Sequence, residues 1–184
     1  MSQLETFLRV WSDYQRERRA RMEAKVFEVI VRTFPAVLVA QADGFTDTSE
    51  VQRLEEIVAF LCKQEKVPLE AWDWRAEMRY LAIDSPFWRE RFIAALRELL
   101  EARPELYREQ AEFWFAVAAA STGDITRNLL LRLRRHEQLA GERFELISAS
   151  EQAEIERLIQ ELDFAGKAPQ ALSYLRQLLA QAHG

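Results

Sequence analysis

Residues 36–61 read AVLVAQADGFTDTSEVQRLEEIVAFL, and this stretch decides the fold. An apolar run, Ala36 to Ala42, meets Asp43-Gly44, and a second amphipathic run follows. Gly44 suits the end of a helix, because glycine takes the left-handed conformation there without a Cβ penalty. Asp47 then reads as the N-cap of the next helix, and Asp47-x-x-Glu50 has capping-box spacing. Val51, Leu54, Ile57, Val58 and Leu61 recur at helical spacing and form its apolar stripe. The unit is therefore helix, short acidic loop, helix.

The rest of the chain extends this pattern. Leu4, Phe7, Leu8, Trp11 and Tyr14 mark helical structure within residues 2–33, and Pro35 is expected to break or restart it. Pro68 suits the first turn of a helix running to about Ala82. Ser85-Pro86 and Pro104 open two more. Ser148-x-x-Glu151 is a second capping-box spacing, and Leu172 to Leu179 gives a last amphipathic stretch. Seven to nine helices and no strand are expected. Five glycines and five prolines among 184 residues are too few for a fold built from many strands and turns. No linker rich in Gly, Pro or Ser divides the chain, so residues 1–184 are expected to form a single all-α domain.

Composition narrows the function. A net charge of −5 and a pI near 5.3 argue against a general nucleic-acid binder, which needs a basic face. No uncharged apolar stretch reaches the roughly 18 residues that span a bilayer, so direct membrane insertion is not expected. Cys62 is the only cysteine, which excludes an intrachain disulfide and fits a reducing cytoplasm. The first residues lack the basic and apolar regions of a signal peptide. Cytoplasmic location is the expectation.

A faint repeat is visible. Ser49 to Leu61 aligns without a gap on Ser150 to Leu162, with Glu50 falling on Glu151. Ser, Glu, Glu and Leu match, and three other apolar positions exchange Leu, Ile or Val. Such a pattern fits two helical pseudo-repeats, and amphipathic helices with acidic starts also produce it by chance.

Ala42-Asp43-Gly44, Asp47 and Glu50, set between the apolar helix and the Leu54/Ile57/Val58/Leu61 helix, resemble the TerB-like family of bacterial tellurite-resistance proteins. The resemblance covers about residues 34–62 and implies a TerB-like core of about 25–165. It implies an all-α fold, a cytoplasmic role in stress or toxic-anion resistance, and acidic residues that hold a divalent cation. The second half departs from the pattern: Ser121-Thr122-Gly123-Asp124 stands where Ala-Asp-Gly is expected. A long basic stretch, 125–140, then precedes Glu151.

Asp43, Asp47 and Glu50 offer hard oxygen ligands for Ca2+ or Mg2+. Turn and capping chemistry explains the same three residues without a metal. The loop is not an EF-hand, whose acidic series it lacks. Aromatic residues crowd the middle third, among them Trp72, Trp74, Phe113, Trp114 and Phe115. One helical stripe cannot bury all of them, so Trp72, Trp74 and Trp114 are expected to contribute a partner surface or a homo-oligomer contact. Two arginine runs, around Arg16–Arg21 and Arg127–Arg135, read as solvated helix faces.

Catalytic patterns are absent. His136 and His183 are the only histidines, and no zincin, di-iron or phosphate-loop spacing occurs. A buried thiol is the reading for Cys62. The expectation is a non-enzymatic interaction protein without an obligatory cofactor, acting through a protein partner. A divalent-cation sensor using Asp43, Asp47 and Glu50 is the alternative. A metal-assisted hydrolase using the same carboxylates is a further one.

Overall fold

A computed structural model describes residues 4–44, 48–119, 129–135 and 147–183. Ten α-helices and no strand occur among them: α1 Glu5–Arg18, α2 Ala24–Ala40, α3 Thr48–Glu65, α4 Trp74–Ile83, α5 Ser85–Ala102, α6 Leu106–Ala118, α7 Leu129–Arg134, α8 Ala149–Glu161, α9 Phe164–Lys167 and α10 Pro169–His183. The helical class expected from the sequence is what is found. The count exceeds the expected range by one, and α7 and α9 are only six and four residues long.

α2 and α6 are the two central helices. α2 packs on α1, α3, α4, α5, α6 and α8, and α6 packs on α2, α3, α5, α7 and α10. Helices enclosed on all sides must be apolar all round. α2 buries every residue from Val29 to Ala40, and α6 buries nearly its whole length. The residues expected to be buried together (Val37, Val39, Leu54, Ile57, Val58, Leu61, Ile155, Leu158 and Leu162) do lie in one contiguous core.

Pro35 does not break α2. It lies inside the helix and is buried. A proline interior to a helix removes one backbone hydrogen bond and costs about 3 kcal/mol. Dense packing of α2 on six neighbours outweighs that cost. Pro68 also differs from expectation. It precedes a short 3₁₀ turn, Leu69–Ala71, and α4 starts only at Trp74. The N-cap of α4 is Asp73, whose carboxylate accepts the Ala76 N–H.

α1 begins without a cap of its own. Leu4 stands at its N-cap and makes no side-chain bond. Glu98 of α5 takes over, accepting the backbone N–H groups of Thr6 and Phe7 at 3.1 and 2.7 Å. Further along α1, Tyr14 is packed edge-on against Trp88 and Phe92. Its hydroxyl donates to Glu77 Oε1 at 2.7 Å, and Arg18 donates to both oxygens of the same carboxylate.

Arg32 has no exposed surface, a burial that among the described charged residues Glu112 of α6 shares. Its guanidinium donates to Glu109 of α6, to Glu65 and Gln64 of α3, and to Glu28 of its own helix. Gln110 donates to the Arg32 carbonyl, and Trp114 donates to the Gln110 side chain. Burial pushes the Glu109 carboxyl above its ordinary range, against the pull of Arg32. At Arg32 burial works to release the proton, and the contact with Glu109 overrides it. Removing one partner of such a group leaves a buried, uncompensated charge, at a cost of about 3–5 kcal/mol. Arg32→Ala is expected to lower unfolding stability by that amount in urea titration. Arg32→Met combined with Glu109→Leu should recover most of it, because the most buried of its carboxylate partners goes with it and Glu28 and Glu65 keep Arg103.

Candidate functional site

The last turn of α2 leads into Gln41, Ala42, Asp43 and Gly44. The Gln41 N–H donates to the Val37 carbonyl and the Ala42 N–H to that of Val39. Gly44 then donates its N–H to Gln41 O at 2.9 Å with φ +80°. A Cβ at Gly44 would meet no atom within 4 Å. Its need for glycine is thus conformational rather than steric. This turn fixes Asp43 at the end of α2, exposed to solvent.

α3 starts at Thr48 and places Glu50 in its first turn, only 6% exposed. The start of α8 is built by a full capping box. Glu151 N–H donates to Ser148 Oγ at 3.1 Å, and Ser148 N–H donates to Glu151 Oε1 at 3.2 Å. Glu151 is 5% exposed. The second capping-box spacing read in the sequence is therefore real.

The two helix starts meet at the end of α2. One carboxylate oxygen from each of Asp43, Glu50 and Glu151 lies within 4.8 Å of the other two. Of the three loop residues expected to form a site, Asp43 and Glu50 come together. Asp47 lies outside the described residues. Glu151 was not among the expected ligands, although the repeat had aligned it on Glu50. That register was the signal for it.

The donor set suits a hard cation. Two oxygens on opposite sides of a calcium ion stand about 4.6–5.2 Å apart, and on magnesium about 4.0–4.2 Å, from their usual bond lengths. Three oxygens within 4.8 Å of each other can therefore share one ion. Without a positive partner their gathering is unfavourable: two unit charges at this separation repel by about 3 kcal/mol at an effective dielectric constant of 20. Both helix N-termini offset part of this with their partial positive charge. Arg53, one turn beyond Glu50, is also buried, and its guanidinium donates to Glu56 at 2.6 Å.

The expected aromatic surface is corrected by the packing. Trp114, Phe113 and Phe115 have no exposed surface, and Trp74 is buried. The reason is that α6 is enclosed on every side, so its aromatics need no single stripe. Trp72 is half-buried against the core. Trp114 therefore lines no surface of the described structure. His136 and the Gly123-Asp124 pair lie outside the described residues.

Cys62 is buried, and burial pushes its thiol above the ordinary range. It should react with Ellman's reagent at pH 8 more than about tenfold slower in the folded protein than in urea, because both access and thiolate fraction are reduced. Equal rates in the two states would contradict this placement.

Comparison with known protein families, with curated proteins and with solved structures finds no match. No helix among the described residues is long and apolar enough to cross a membrane.

Proposed function

We propose that this chain is a non-enzymatic, divalent-cation-binding helical protein that acts through contacts with a protein partner. The TerB-like resemblance of residues 34–62 supports the same reading and a role in bacterial stress response. The observation that carries it is the convergence of Asp43, Glu50 and Glu151 from both halves of the chain. Capping explains each glutamate at its own helix start. It does not require the two starts to meet, nor a third carboxylate beside them. A shared cation gives all three a common reason. Ca2+ fits the span better than Mg2+, which demands tighter octahedral geometry. Backbone carbonyls and water would complete the shell.

The test is thermal unfolding after chelation, with Ca2+, Mg2+ or Mn2+ added back. A ligand that binds only the native state stabilises it by about 2.7 kcal/mol at one hundred times its dissociation constant, worth several degrees for a chain of this length. Glu50→Gln and Glu151→Gln retain capping ability and remove charge. Asp47→Asn also retains it. The expected result is a metal-dependent rise in wild type that Glu50→Gln/Glu151→Gln abolishes. Melting without metal should hold or rise, because the substitutions also relieve the repulsion among the carboxylates. A wild-type protein that ignores all three ions up to millimolar concentration sinks the cation reading, and the cluster is then a product of helix capping.

A further inference from the structure

Beside the acidic loop, on the far flank of the α2–α3 corner, lies a cleft of about 260 Å3 between α2, α3 and α4. Its floor is apolar, formed by Val37, Leu54, Trp74 and Met78. Val51, 43% exposed, borders it from α3. From α4, Arg75 and Arg79 stand at the rim, both exposed. Four residues beyond Arg79 on the same helical face is Ile83, which at 72% is the most exposed large apolar residue among those described. Arg75 makes an exposed 3.3 Å pair with Glu55, a kind of contact worth little, and its guanidinium lies over the Trp74 ring, 4.7 Å from the centroid. Arg79 makes no ion pair among the described residues.

We infer that this cleft docks an acidic amphipathic helix of a protein partner, with one or two large apolar side chains on the Val37/Leu54/Met78 floor and carboxylates against Arg75 and Arg79. The inference deepens the interaction reading above and rests on it for the class of occupant. It does not depend on the cation. Three observations select the occupant. The volume is below the roughly 300–1,000 Å3 of small-molecule pockets, and suits anchor side chains instead. Ile83, one turn beyond Arg79, adds an exposed apolar side chain past the arginines for a helix laid along α4 to cover. The rim is basic, which favours a partner with local negative charge, whereas two copies joined face to face through this cleft would set arginines against arginines. Met78 adds a floor that can adapt its shape to different anchors.

The test uses short fluorescein-labelled helical peptides with a Leu/Phe anchor pair, flanked by Glu in one and by Lys in the other. Fluorescence anisotropy is read with full-length protein in chelator, so the outcome is independent of metal. The Glu peptide should bind at least about tenfold more tightly than the Lys peptide, a difference of about 1.4 kcal/mol. Arg75→Glu/Arg79→Glu changes only exposed side chains and should reverse that preference. Ala82→Trp, which fills the cleft, should abolish binding of both. Binding of the Glu peptide that neither variant alters overturns the cleft while leaving the interaction reading standing. Equal affinity for the two peptides, or no saturation at millimolar concentration, also overturns it. So does concentration-dependent self-association lost in Ala82→Trp, which would make the occupant a second copy. Co-sedimentation with anionic vesicles through the same arginines would reassign the surface to lipid.

Discussion

The buried guanidinium of Arg32 is the constraint around which the helices are arranged. A fully buried cation must be met by acceptors in every direction it points, or its desolvation is uncompensated. Here the acceptors come from α2 itself, from α3 and from α6. That requirement fixes the rotation of α3 and α6 about their axes as well as their distance from α2. Apolar packing alone tolerates several rotations of a helix that is apolar all round. The Arg32 group selects one. Arg103, at the end of α5, joins the same carboxylates at Glu28 and Glu65. A fourth helix is thereby tied to the arrangement.

With α2 so fixed, its C-terminal turn has a defined place, and the starts of α3 and α8 converge on it. The carboxylate cluster is thus a product of helix placement, while the individual carboxylates are products of local capping rules. The apolar cleft lies on the other flank of the same corner, floored by residues of α2, α3 and α4. A single corner of the bundle therefore carries both features with chemical character, one acidic and one apolar with a basic rim.

Much of this was legible in the sequence, where local chemistry was sufficient. The 3.6-residue spacing of Leu54, Ile57, Val58 and Leu61 located α3 and its buried face. Ser148-x-x-Glu151 located the start of α8. Asp43 and Glu50 were recognised because they flank one turn. What failed to show was long-range. Nothing near Pro35 announces that six helices will pack on α2 and that the helix will run on through the proline. The aromatics of α6 pointed to a surface because a helix that is central is indistinguishable, residue by residue, from one with two sticky faces. Glu151 belongs with Asp43 and Glu50 only once the chain has folded back, and the repeat register alone hinted at it. Glu98 as the cap of α1 had no local signal at all, since its partners lie more than ninety positions away.

That borrowed cap has a consequence for how the chain assembles. An isolated segment of α1 lacks the means to start its own helix: Leu4 provides no acceptor, and fourteen residues are marginal for a helix in water. Its N-terminal amides find their acceptor only on a finished α5, and Tyr14 and Arg18 find theirs only on a finished α4. α1, although synthesised before α4 and α5, therefore has to wait for residues that leave the ribosome later. Until α1 docks, the aromatic side chains that it covers on α5, Trp88 and Phe92 among them, lack their Tyr14 contacts. The order of synthesis and the order of consolidation run in opposite directions in this chain, and α1 closes the fold like a latch rather than seeding it.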